Sequence, residues 1–253
     1  MLVVSSGRER ALSFGSAAEN YERYRMGYPA ELVRAVLRYA GREIRTALEV
    51  GAGTGKATRL FAARGIQVTA LEPDPEMAGV LRRTTRGLPV RPMVVTFEAF
   101  RSPGGFDLLY AGASWHWMDP ATRWTRAADR LEPGGVLALF GRADRLLDAA
   151  LAATVDAIER RVLPDAGGPV GTPWSPDDIA KTPGFAEVED VRLPSVTTFT
   201  ADHWVAREGT ASAYLMLSDA ERARALREIR AVLPDRVDVD TKVGLTLARR
   251  VAD

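Results

Sequence analysis

The stretch from Thr46 to Gly55 reads Thr-Ala-Leu-Glu-Val-Gly-Ala-Gly-Thr-Gly. It sets an acid, Glu49, and three alternate glycines, Gly51, Gly53 and Gly55, between an apolar, β-favouring run and a helical pattern that opens at Lys56. Glycines this close let a backbone turn sharply and approach a ligand with no Cβ in the way. A strand, a Gly-rich turn and a helix N-terminus together make a nucleotide pocket, so the chemistry expected here is the holding of a cofactor. Glu72 follows 21 residues after Gly51, at the end of a second apolar run. In a nucleotide-binding βαβ unit an acid there accepts hydrogen bonds from ribose hydroxyls. A third candidate is Ser114-Trp115-His116-Trp117, where two tryptophans flank one of the two histidines in the chain. An unperturbed imidazole titrates near pH ~6.5 and accepts a proton at neutral pH. The structural alternative is two core tryptophans around a hydrogen-bonded imidazole.

The spacing of the loop narrows the nucleotide. The dinucleotide fingerprint G-x-G-x-x-G needs glycine where this chain has Lys56. The phosphate-loop pattern needs glycine and a hydroxyl where it has Val50 and Ala57. The spacing E-x-G-x-G-x-G resembles instead motif I of the class I S-adenosylmethionine (SAM)-dependent methyltransferases. Gly105-Phe106-Asp107-Leu108-Leu109 resembles that family's strand-4 motif, and Leu131-Glu132-Pro133-Gly134-Gly135 its turn before strand 5. These motifs span residues 46–140 in the family's order, and Leu245–Arg250 resembles its closing strand. The segment holding Phe14, Tyr21, Arg25, Tyr28 and Pro29 resembles the N-terminal helix of small bacterial methyltransferases related to ubiquinone/menaquinone-type and trans-aconitate-type enzymes.

The resemblance implies a methyltransferase that moves a methyl group from SAM to a small organic acceptor and leaves S-adenosylhomocysteine. It implies cofactor contacts from Glu49, Gly51, Ala52, Gly53, Gly55, Glu72, Pro73, Phe97, Glu98 and Ala111. Tyr21 and Arg25 would fold over the cofactor, with Arg25 holding its carboxylate. His116 and Tyr21 would assist catalysis, and Trp115, His116, Trp117, His203 and Tyr214 would line the acceptor pocket. Thr210 and Ser212 are further candidates for that lining. Other SAM chemistry on the same fold, or a non-catalytic SAM-fold module, stays open at this level. So does a reading of Phe97 and Phe100 as core.

The elements that must position these residues follow from pattern. Strands at 46–50, 66–71, 90–97, 106–111 and 136–140 alternate with helices at 56–64, 75–84 and 120–131, which implies a parallel sheet with right-handed crossovers. Asp74-Pro75, Asp119-Pro120 and Ser175-Pro176 are cap-plus-proline helix starts. Ser218-x-x-Glu221 is a capping box. The fold class expected is α/β: a Rossmann-like, mostly parallel seven-stranded sheet with helices on both faces and a helical cap. Its organisation is an N-terminal helical segment over 1–45, a SAM-binding core over 46–141, a cap over 142–235 with a core strand near 185–193, and a final strand within 236–253. The cap expectation includes a helix over 146–163 and a Gly/Pro loop over 166–176.

Composition excludes several classes. The chain of 253 residues has no cysteine, so neither disulfides nor thiol chemistry. Two histidines without cysteine do not supply the usual metal ligand sets, and no metal is expected. A net charge of +1 gives no electrostatic handle for nucleic acid. The chain has no run of ~18 apolar residues, so no membrane span is expected. In MLVVSSGRER the charges follow the apolar residues, the wrong order for a signal peptide. A cytoplasmic enzyme, monomeric or homodimeric, is the expectation.

Overall fold

The computed structural model describes residues 13–142, 144–163 and 174–251. The N-terminal decapeptide and most of the Gly/Pro loop expected over 166–176 therefore lie outside the described residues. In chain order the elements are α1 (Ala18–Tyr24), α2 (Ala30–Ala40), β1 (Thr46–Val50), α3 (Lys56–Ala62), β2 (Gln67–Leu71), α4 (Pro75–Thr84), β3 (Val90–Met93) and β4 (Phe106–Gly112). Then come α5 (Arg123–Arg130), β5 (Leu131–Arg142), β6 (Arg145–Leu146), α6 (Ala149–Val162), α7 (Pro176–Ala180), β7 (Phe185–Leu193) and β8 (Val196–Thr200). The chain finishes through α8 (Ala201–Glu208), α9 (Ser212–Leu215), α10 (Asp219–Val232), β9 (Arg236–Asp240) and β10 (Val243–Arg250). They divide into two compact units.

The sheet unit holds residues 27–141, 171–193 and 243–253. Its seven strands run in the order β3-β2-β1-β4-β5-β10-β7. The β1–β2, β1–β4, β2–β3 and β4–β5 pairs are parallel, and β10 pairs antiparallel with β7. The order reverses at β1, with β2 on one side and β4 on the other. In open α/β sheets ligands bind beyond the strand ends at such a switch point. The strands read as near-continuous apolar runs because both faces are covered. One face packs Leu32, Val36, Phe61, Tyr110 and Phe140 into a core, and the other packs Leu48, Leu71, Phe97, Leu109 and Trp115. Burial of one Leu or Phe side chain is worth about 1.5–3 kcal/mol, so these two layers fix the strand ends from which the loop residues project.

The second unit holds residues 1–26, 142–170 and 194–242. Its core gathers Val155, Ile158, Phe199, Trp204, Tyr214, Ile229 and Val239. The second unit also contains an antiparallel three-stranded sheet, β6-β9-β8, with β6 and β8 in the stretch read from sequence as a helical cap and β9 in the segment read as holding the final core strand. Both longer strands carry a period-2 signal, in Val196-Thr-Thr-Phe-Thr200 and in Arg236-Val-Asp-Val-Asp240, where Val237 and Val239 point inward. Helix α2 lies in the sheet unit, whereas α1 lies in the second unit. Both therefore depart from a single N-terminal segment over 1–45.

Several boundaries differ from the sequence reading: β5 runs over Leu131–Arg142 instead of 136–140, and three other differences have a visible local cause. β3 ends at Met93 instead of 97, because the carbonyl of Thr96 accepts from the amides of Ala99 and Phe100 and its Oγ1 accepts from the Ala99 amide. That turn takes the backbone out of the sheet. Asp119 caps as expected, with Oδ1 accepting from the Ala121 amide and Oδ2 from the Thr122 hydroxyl. It closes a separate turn, however, and α5 starts only at Arg123. α6 starts at Ala149 instead of 146, because Asp148 accepts from the amides of Ala150 and Leu151. The β7 bounds, α4 and its Asp74 cap, the Ser175 cap and the Ser218 capping box coincide with the sequence reading, and Ser175 adds a full box with Asp178.

Candidate cofactor and acceptor site

Gly51, Gly53 and Gly55 all take left-handed backbone, at φ 70°, 57° and 89°. Only glycine does so without strain, so alternate glycines give this loop its course from β1 into α3. Their side-chain faces differ. A Cβ on Gly51 would stand 2.5 Å from Cβ of Ser114, and one on Gly55 would stand 2.8 Å from Cδ1 of Leu81. A Cβ on Gly53 would meet only Cε of Met77, at 3.7 Å. Two of the three glycines therefore admit protein, and Gly53 keeps an open face.

Glu72 is the second anchor of the loop. Its Oε2 accepts from the Gly53 amide at 2.7 Å and its Oε1 from the Asp74 amide at 2.9 Å. One carboxylate thus ties the glycine loop to the start of α4, whose first turn is capped by Asp74 through the amides of Glu76 and Met77. Glu72 is buried, and burial pushes its carboxyl up to about 7, against the pull of those two amides. Each carboxylate oxygen retains a second lone pair for a ligand hydroxyl. Ala52 directs its amide back to the Leu71 carbonyl, 2.9 Å away, and Pro73 is partly exposed beside Glu72. Thr54, in the same loop, is buried and its Oγ1 has no partner among the described residues.

Glu49 departs from the expectation of a cofactor contact. It is 2% exposed, and its Oε2 accepts from the hydroxyls of Thr58 at 2.5 Å and Tyr110 at 3.0 Å. It joins β1, α3 and β4 inside the sheet unit. Burial pushes its carboxyl up to about 8 and the Tyr110 hydroxyl well above its ordinary range.

The Trp-His-Trp turn is a 3₁₀ turn directly after Ser114, beyond the end of β4. Ser114 donates to the Val50 carbonyl at 2.5 Å, which locks this turn against the glycine loop. Its place in the site was not read from the sequence, although it opens the motif. Trp115 corrects the pocket-lining expectation: it is 2% exposed and packs in the core against Phe97 and Trp124. Phe97 and Ala111 are likewise core side chains, leaving only their backbone to a ligand. Glu98 accepts from the Asp119 amide at 3.2 Å, joining the segment after β3 to the turn before α5. His116 and Trp117 stay partly exposed, ring beside ring at 4.8 Å. Burial, and then the positive charge of Arg123, lower the His116 imidazole to about 4. The free-imidazole expectation is corrected accordingly: the ring is neutral at pH 7, and as a base it is weaker than an exposed histidine.

The remaining candidates lie in the second unit. The Arg25 guanidinium stands 5.7 Å over the Tyr21 ring, and its Nε donates to Thr210 Oγ1 at 2.8 Å. Tyr21 also meets Phe14 edge-on at 5.9 Å. His203 stacks on Phe199 at 5.2 Å, and its Nε2 lies 3.1 Å from the Tyr24 carbonyl. Tyr214 is 2% exposed, and its hydroxyl donates to Glu159 at 2.7 Å. Tyr214 is thus a buried brace of its unit, and His203 is half-buried. Ser212 is buried at the start of α9. Among the described residues no group of three or more His, Cys, Asp or Glu is arranged to hold a metal ion. No described helix is long and apolar enough to cross a membrane.

Residues 48–139 match the family described as "Methyltransferase domain". The uncharacterized methyltransferases Mb3374 of Mycobacterium bovis and Rv3342 of Mycobacterium tuberculosis are each 40% identical over 136 residues, 53% of this chain and 54% of theirs. The chain thus spans about half the length of the curated relatives it matches. Among solved structures, one described as a type II methyltransferase from Anaeromyxobacter dehalogenans aligns with a TM-score of 0.64 at 24% identity, over 91% of this chain and 100% of that one. Phosphoethanolamine N-methyltransferase 2 of Haemonchus contortus, solved with phosphomonomethylethanolamine and S-adenosylhomocysteine, aligns with a TM-score of 0.55 at 16% identity, over 94% of this chain and 58% of that one. At these identities the structural likenesses speak for the fold.

Proposed function

We propose, from the match of residues 48–139 to the family described as "Methyltransferase domain", that the chain is a class I, SAM-dependent enzyme that transfers a methyl group from SAM to a small organic acceptor. The observation that carries the reading is the left-handed Gly51–Gly55 turn with the Gly53 amide held by Glu72. The residues fit the cofactor in three respects: the open face at Gly53, the spare lone pairs of Glu72 and the partnerless hydroxyl of Thr54. Glu72 would take the ribose hydroxyls, and the loop backbone from Gly51 to Gly55 would take the amino-acid part. When bound, SAM supplies a methyl group already activated on a sulfonium.

What the chain adds is position. Aligning two reactants is worth up to ~7–11 kcal/mol in favourable intramolecular cases. The loop is fixed from three sides, by Ser114, Leu81 and Glu72, so it meets a ligand without reorganising. His116 and Trp117 would form a wall of the acceptor side. A neutral His116 would orient the acceptor by hydrogen bonding more than it would remove a proton. The same reading makes the chain a cytoplasmic enzyme, monomeric or homodimeric, acting on a free small molecule.

The test is calorimetric binding of SAM to the wild-type chain and to Glu72→Ala, with methyl-labelled SAM supplied in parallel to a panel of small acceptors. The proposal expects wild-type binding, a loss of at least roughly tenfold in the variant (about 1.4 kcal/mol), and label in a product. Wild-type affinity in Glu72→Ala would sink the site assignment. Tight binding with label in no product would sink methyl transfer while leaving a SAM-binding protein.

A further inference from the structure

Among the described residues, four strands stand at the ends of the two sheets: β3 and β7 in the sheet unit, β6 and β8 in the second unit. An edge strand exposes unpaired amides and carbonyls, and soluble proteins blunt it with charge, proline, a bulge or shortness. Three of these edges are blunted. β3 carries Arg91 and Pro92. β7 carries Glu187, Glu189, Asp190 and Arg192, and its register against β10 shifts between Leu247 and Arg249. β6 is two residues long, and one of them is Arg145. β8 reads Val196-Thr-Thr-Phe-Thr200, with no charge, no proline and an unbroken register against β9.

The backbone of β8 turns outward in a definite pattern. Val196 stands opposite Asp240 and Thr200 opposite Arg236. The Thr241 amide donates to the Ser195 carbonyl at 2.8 Å, and the Ala201 amide donates to the Asp235 carbonyl at 2.9 Å. Hydrogen-bonding direction alternates along an antiparallel strand, so Thr197 and Phe199 also bond inward to β9. Val196 and Thr198 therefore turn both amide and carbonyl to the open edge, and Thr200 turns its amide there. Those groups have no partner among the described residues. The side chains of the same three residues lie on the solvent face, away from the buried Phe199, and Val196 is 62% exposed.

We propose that two copies of this chain pair antiparallel through β8, about a two-fold axis at Thr198, and join their three-stranded sheets into one. This interface does not rest on the methyl-transfer reading. Centring on Thr198 sets Val196 against Thr200 of the second copy and engages every outward group. A two-fold axis brings the central residue against its own counterpart, and like charges directly opposite repel. An uncharged strand escapes that penalty, and β8 is uncharged. The nearest charges sit one strand further in, on β9. Across three strand spacings, roughly 14 Å, Arg236 of each copy lines up with Asp240 of the other, while Asp238 meets its own counterpart once. Charge therefore favours the pairing weakly, and less so in salt. Pairing uses up the open edge of both copies and leaves a blunted β6 at either end, so the assembly closes at two.

The experiment is analytical sedimentation of the full chain from about 1 to 300 µM, spanning the Kd on the order of 10 µM expected of a small interface. Wild type should pass from monomer to dimer over that series and form nothing larger. In Thr198→Lys two like charges meet at the axis, and the dimer Kd should rise at least about tenfold. Glu189→Lys, on the exposed and already blunted β7 edge, should leave it unchanged. The chain has no cysteine, so Thr198→Cys carries a single thiol. Residues opposed in such a pair have Cα atoms about 5.5 Å apart, within the span of about 4.4–6.8 Å that a disulfide bridges. Oxidation with copper phenanthroline should therefore cross-link Thr198→Cys into a covalent dimer far faster than Glu189→Cys.

Four results would overturn it. A wild-type chain that stays monomeric to the top of the series leaves β8 unpaired. A dimer that Thr198→Lys does not weaken uses another surface. Loss of the dimer in Thr198→Lys without rapid cross-linking of Thr198→Cys means that the lysine acts by disturbing the fold. Open-ended growth beyond two copies contradicts the closed two-fold.

Discussion

Glu72 and Glu49 are two buried carboxyls with opposite tasks, and pH tells them apart. Burial raises Glu72 to about 7, and a ligand hydroxyl donates best to the ionised form. SAM affinity should therefore be higher at pH 8.5 than at pH 6, falling by up to roughly tenfold per unit below the titration, and should be flat in Glu72→Gln by calorimetry. Glu49 is raised to about 8 from its ordinary 4.5, so the folded chain holds its proton more tightly than the unfolded chain does. Its contribution to stability is fully present below pH 4.5 and is lost as pH rises through 8. Denaturant titrations should show Glu49→Gln gaining on wild type over that window. His116, lowered to about 4, should give a ring NMR signal that does not titrate between pH 5.5 and 8. A midpoint near 6.5 would refute its desolvation. Gly51→Ala should cost about 1–3 kcal/mol of stability, because its Cβ meets Ser114 in a left-handed backbone. Adding Ser114→Gly should relieve the steric part and leave the backbone strain.

At the scale of elements, legibility followed local chemistry. α4, α7 and α10 were readable because an acid or hydroxyl before the helix accepts the first amides: Asp74 for α4, Ser175 and Ser218 in capping boxes. Ser218→Ala should cost about 0.5–2 kcal/mol in thermal or chemical unfolding, with the secondary-structure content retained. The glycine loop was readable because three alternate glycines have few other uses. What each glycine admits was not readable, since Ser114 and Leu81 are 63 and 26 residues further along from Gly51 and Gly55. The same holds for Glu49: an acid at a strand end looks like a ligand until Tyr110, on the neighbouring strand, is found to donate to it. His116 read as a free imidazole because sequence carries no desolvation and did not show Arg123 acting on it. The sheet β6-β9-β8 was missed although Val196–Thr200 and Arg236–Asp240 alternate. Their partners are about 40 and 90 residues apart along the chain, and the intervening helices dominated the pattern.

At the scale of the molecule, neither unit is built from a continuous stretch of chain. The sheet unit takes three segments, and its last, from Val243, supplies β10 between β5 and β7. Val243, Leu245, Leu247 and Ala248 are wholly buried there. A chain stopped after Lys242 should therefore lose more than an edge: β7 loses β10, its one partner in the sheet among the described residues, and the β5 flank is laid open. The expected outcome is a protein that is insoluble or binds a hydrophobic dye, with no cooperative melt. A soluble truncated chain melting as wild type would contradict the strand order. The placement of β10 also has a consequence for synthesis. A ribosome adding about 5–20 residues per second finishes β1 to β5 well before it reaches residue 243. During that interval the nascent sheet carries an apolar strand edge with nothing to cover it. Such edges pair with other chains, so this protein should depend on nascent-chain chaperones, and its yield should respond to translation speed across residues 143–242.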